Sequence, residues 1–84
     1  MGVYKVQIKK WVGRDENRKE VIEPTTARRT FSTLGEAVKK IKAIRHQLSI
    51  NEADSLYVVS YCDTYLHVIS KLFGERIYSV VYES

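Results

Sequence analysis

Few side chains in this sequence can act as a nucleophile or a general base: Cys62, His67 and His46 stand out, with Ser60, Asp63 and Thr64 near the first two. A cysteine beside a histidine can work as a nucleophile–base pair, with a third group holding the ring in place. If Asp63-Thr64 is a two-residue turn, Cys62 faces Tyr65, Ser60 faces His67 and Val58 faces Ile69, so thiol and imidazole share one face of a sheet. The orienting group is not supplied, because Asp63 falls in the turn with no direction set for its side chain. A half-buried histidine in a sheet more often satisfies a structural hydrogen bond. No catalytic residue is assigned, and the chain is predicted not to be an enzyme.

Other chemistries are weaker still. Two histidines and one cysteine without a close acidic cluster do not match zinc-ligand spacing, and Asp15-Glu16 reads as a solvated charge pair, so no metal is predicted. Gly2, Gly13, Gly35 and Gly74 are scattered, which excludes a phosphate-cradling loop, and no cofactor is predicted. His46 falls near the end of a predicted helix, where a cation interacts favourably with the dipole.

Charge is the more informative signal. The formal net charge of the 84 residues is +4, and it is unevenly spread: residues 1–46 hold 12 Lys and Arg against 5 Asp and Glu, whereas residues 47–84 hold 2 against 5. Such asymmetry suits an anionic partner, either a nucleic acid or an acidic protein surface, although a merely solvated basic surface gives the same count. Lys9, Lys10, Arg14, Arg18, Lys19, Arg28 and Arg29 gather in the first hairpin with Lys5 and Trp11, and Lys39, Lys40 and Lys42 lie on the helix. Cations interleaved with an exposed aromatic can neutralise phosphates and stack on bases. These residues, Trp11 included, form the candidate surface for nucleic acid or a protein partner.

The elements that must position them follow from periodicity. Leu34, Ala37, Val38, Ile41, Ile44 and Leu48 recur at helical spacing, and Thr33-Leu34-Gly35-Glu36 has the form of a capping box. Gly35 in the first turn suggests a close approach of helix to strand. Val3 to Val12 alternates as a half-buried strand, Gly13 to Lys19 is a polar hairpin tip, and Glu20 to Glu23 returns. Pro24 argues for an edge position or a bulge there. Thr25 to Phe31 is β-compatible, and Ser49 to Asp54 is a polar connection with room for one helical turn. Leu56 to Cys62, Tyr65 to Leu72 and Ile77 to Tyr82 read as a three-stranded antiparallel meander, with turns at Asp63-Thr64 and Gly74-Glu75. The fold class is α+β, in the order ββαβββ, with a single amphipathic helix packed on an antiparallel β-sheet.

Composition sets the bounds. One compact domain over residues 1–84 is expected, and 44% hydrophobic with 29% charged residues is a globular profile. The longest run without charge, Ser55 to Cys62, is far short of the roughly 20 residues of a membrane-spanning helix. A single cysteine rules out an intramolecular disulfide and fits a reducing compartment, so a soluble, cytoplasmic protein is predicted.

The predicted register also assigns faces. It turns Tyr57, Val59, Tyr61, Leu66, Val68, Leu72, Ile77 and Val81 toward the helix. The other face then carries Leu56, Val58, Cys62, Tyr65, His67, Ile69, Tyr78, Val80 and Tyr82, too apolar for water. Self-association through Tyr65, His67, Ile69, Tyr78, Val80 and Tyr82 is the expected remedy, with a homodimer its simplest form; a strongly curved sheet, or cover by the Trp11 hairpin, is the alternative.

The string TFSTLGEA, residues 30–37, resembles the strand-to-helix junction of the DNA-binding arm domains of phage integrases. Those domains place three strands before the helix, whereas here three follow it, and no function is carried over. In size and style the chain is also similar to small accessory proteins of phages and other mobile elements, including anti-CRISPR inhibitors. Two functions are therefore expected of it: a non-enzymatic nucleic-acid-binding module, or a protein-binding inhibitor or adaptor.

Overall fold

The computed structural model describes residues 2–12, 15–23, 29–51 and 55–84. Strand β1 (Val3–Val12) leads through a 3-10 turn (Asp15–Asn17) to β2 (Lys19–Ile22) and β3 (Thr30–Phe31); helix α1 (Leu34–Asn51) follows, and then β4 (Leu56–Cys62), β5 (Tyr65–Ser70) and β6 (Gly74–Glu83). The architecture is α+β, with one helix on an antiparallel sheet ordered β2-β1-β6-β5-β4. The order is βββαβββ, because the return of the first hairpin is split. β2 pairs with Lys9 to Val12 and β3 with Tyr4 and Lys5, so both occupy the same edge of β1. Pro24 lies outside the described residues.

α1 begins where its capping sequence stands: the Glu36 N–H donates to Thr33 Oγ1 at 3.3 Å. Ala37 and Ile41 are fully buried against Val6, Ile8, Phe31, Leu66, Val68 and Tyr78, and Ile44 and Leu48 pack around them. Fully burying side chains such as Ile41, Leu66 and Val68 stabilises by about 1.5–3 kcal/mol each. Three expectations for the helix fail. Leu34, at its first residue, is 45% exposed, and among the described residues nothing lies within 4 Å of where a Gly35 Cβ would stand, so the close approach of a strand is not found there. The helix also runs on through Ser49, Ile50 and Asn51, which leaves His46 more than a turn short of the dipole's end. The Ser49 hydroxyl donates to the His46 carbonyl at 2.7 Å.

The meander forms, with two changes of register. The turn after β5 is the three-residue Lys71–Phe73, not Gly74-Glu75; Ser70 pairs with Gly74, whose φ of 81° suits only glycine comfortably. Buried Ser70 supports this turn by accepting the Leu72 N–H on Oγ at 3.1 Å. Moving the turn shifts β6 by an odd number of residues, and since strand side chains alternate with period two, every β6 side chain changes face. Tyr78 is therefore buried under the helix at 3% exposure, Val80 packs on the core, Ile77 and Val81 turn away, and Leu72 projects from the turn.

β4 flips in part. Cys62 faces Tyr65 and Ser60 faces His67, but a bulge at Val59 pairs Val58 with Val68 and Tyr57 with Ile69. Leu56 and Val58 consequently pack on the core, and Tyr57 points away from it. The predicted self-association patch is thus divided. Tyr65, His67 and Ile69 belong to the open face; Tyr78 and Val80 lie beneath the helix, and Tyr82 shares that side through its edge-on contact with Tyr4 at 5.0 Å.

Candidate functional site

The predicted cations separate into two groups once partners are considered. In the hairpin, Lys9 Nζ lies 3.4 Å from Glu20, Lys10 Nζ lies 2.8 Å from Glu23, and Arg18 bonds Glu75. Each of these three charges is already opposed by a carboxylate. Lys19 is exposed on β2, and Arg14 and Arg28 lie outside the described residues. Arg29 sits over the Phe31 ring at 5.3 Å, where it meets the helix.

The helix cations are different. Arg29, Thr30, Phe31, Glu36, Lys39, Lys40 and Ala43 line an open cleft of about 580 Å³ between β3 and α1. Glu36, Lys40, Ala43 and Gln47 recur at i+3 and i+4, so they form one flank of the helix, with Lys39 at its rim. A second recess of about 370 Å³ continues along this flank, sharing Lys40 and Ala43 and lined further by Ile8, Ile44, Gln47, Leu48 and Tyr78. No ion pair forms at Arg29, Lys39 or Lys40 among the described residues, and Glu36 is the one acid in the cleft. Lys42, one turn on from Lys39, does not line the cleft, and Arg45 turns away from it, its guanidinium covering the Tyr61 ring at 5.4 Å. Three cations around one open volume attract an anion; Lys42 does not join them.

On the open face of the sheet, Trp11, His67, Glu75 and Arg18 form a compact cluster. His67 Nε2 and Glu75 Oε2 are 2.5 Å apart, Trp11 and His67 stack with ring centroids 6.4 Å apart, and Arg18 lies 5.1 Å over the indole. The hydrogen bond from His67 holds the Glu75 carboxyl below its ordinary value of 4.5; Arg18 acts in the same direction and desolvation opposes both. The carboxylate on His67 is therefore Glu75, not Asp63. Cys62 is exposed, and its Sγ lies 3.9 Å from Thr64 Oγ1. The cross-strand neighbours of His67 are Ser60 and Ile77; Tyr82 is not one of them.

Counting cations along the sequence missed Glu20, Glu23 and Glu75, which oppose Lys9, Lys10 and Arg18. A hairpin tip over Gly13 to Lys19 would set Glu20 opposite Val12; the strand instead resumes at Lys19, which sets Glu20 opposite Trp11 and diagonal to Lys9. Glu75 was hidden by its assignment to a turn. Family models, curated proteins and solved structures yield no match to this chain.

Proposed function

We propose that this chain is a small nucleic-acid-binding module that takes backbone phosphates in the cleft between β3 and α1. The observation that carries the reading is the convergence of Arg29, Lys39 and Lys40 on one open cleft without ion-pair partners among the described residues. Arg29 can meet a phosphate through two parallel N–H donors, and the lysines act as point charges. Paired cations contribute less, because their carboxylates must first be displaced. Phosphates positioned in this way carry affinity but no base sequence, so a sequence-tolerant interaction is expected.

Fluorescence anisotropy with labelled single- and double-stranded DNA and RNA tests the reading. Binding should weaken linearly in log K against log salt, and Lys39→Glu with Lys40→Glu should weaken it at least tenfold at low salt. Absence of binding to all four ligands at low salt would reject it.

A further inference from the structure

The face of the sheet away from α1 differs electrically from the rest of the molecule. It carries Lys5, Lys9 and Arg18, and these are matched one to one by Glu83, Glu20 and Glu75. Counted over Lys, Arg, Asp and Glu, these pairs leave the face with no net charge, in a chain whose total is +4. Between these pairs stand Trp11, Ile22, Tyr57, Ile69, Ile77 and Val81. Ile22 is 49% exposed, Tyr57 66% and Ile69 41%, so the apolar residues are open to contact.

We infer that this neutral face is a homodimer interface, with the sheets of two copies stacked back to back about a two-fold axis. Two chains of charge +4 repel each other, and they approach at least cost through the surface where charge is already balanced. The pairing serves burial as well: desolvating a cation is costly when it is alone, and here each has its carboxylate on the same face. A nucleic acid, by contrast, finds no free cation among the described residues of this face.

Area supports the same occupant: a standard interface takes roughly 800 Å² from each partner. Five strands about 4.8 Å apart give a footprint of the right size. Stacking the open faces would leave both α1 helices, and both cationic clefts, on the outside. The inference does not depend on what those clefts bind.

Sedimentation equilibrium from about 1 µM to about 1 mM tests it. The mass should rise to twice the 9.8 kDa of one chain. Ile69→Lys places a charge in the middle of the face and should raise the dissociation constant at least tenfold, as should Tyr57→Lys, whose exposed side chain makes misfolding of that variant a minor concern. Ile50→Lys, an exposed apolar site on the helix, should leave the dimer intact. A mass of one chain throughout the range overturns the inference, and so does a doubled mass that survives both Ile69→Lys and Tyr57→Lys.

Discussion

On the open face of the sheet Lys5, Lys9 and Arg18 each end on a carboxylate, whereas along one flank of α1 Arg29, Lys39 and Lys40 surround an open cleft without forming an ion pair. Both groups look alike in a count of basic residues. What separates them is register: antiparallel pairing brings Glu83, Glu20 and Glu75 beside the strand and loop cations, and a helix facing solvent has no neighbouring strand to supply an acid. Free charge is thus a property of topology more than of composition. The two surfaces are suited to different partners, one to an anion and the other to a balanced, partly apolar surface.

Packing gives the largest expected contrast. Ile41 is fully buried between α1 and the sheet, so Ile41→Ala should cost about 3 kcal/mol in urea denaturation. Ile69, 41% exposed on the open face, should lose less than about 1 kcal/mol on the same substitution at concentrations where the chain is monomeric. Equal losses would mean that the open face is buried by something within the chain.

Glu75→Gln tests the charge pairing of the open face. Because the folded state lowers the Glu75 pKa, its contribution is present above the ordinary carboxylate value of 4.5 and fades as pH falls through the lowered folded value. The variant should therefore be less stable than wild type by about 1 kcal/mol at pH 7, discounted for the exposure of Arg18. The gap should close once pH has fallen through the lowered folded value, and a gap unchanged by acid would contradict the assignment. The smallest effect is a gain: with open space around it, Gly35→Ala should raise stability by about 0.5 kcal/mol through reduced freedom of the unfolded chain.

The legible parts of the fold were those set by local chemistry. Thr33 and Glu36 announced the helix start, and the spacing of Ala37, Ile41, Ile44 and Leu48 announced its buried face. Asp63-Thr64 marked its turn correctly. The faces of β5 were legible too, with Leu66 and Val68 under the helix; those of β6 and of β4 before Val59 were not, because one misplaced loop, Lys71–Phe73, and one bulge at Val59 reverse the alternation that assigns them. Tyr78 shows the consequence: a tyrosine predicted to mediate self-association is a core residue. Of the candidate site, the helix lysines could be read directly as exposed. Which of them line the cleft with Arg29, and the pairing of Lys9, Lys10 and Arg18, required contacts distant in sequence to be known, as with Arg18 and Glu75.

The salt dependence of oligonucleotide binding in two triple variants addresses the central claim most directly. Arg29→Gln, Lys39→Gln and Lys40→Gln together should flatten the slope of log K against log salt by about 0.9 for each duplex phosphate contact removed. Lys9→Gln, Lys10→Gln and Arg18→Gln together remove the same formal charge and should leave that slope nearly unchanged. Equal flattening by both variants, or flattening by the hairpin variant alone, would contradict the distinction between paired and free cations.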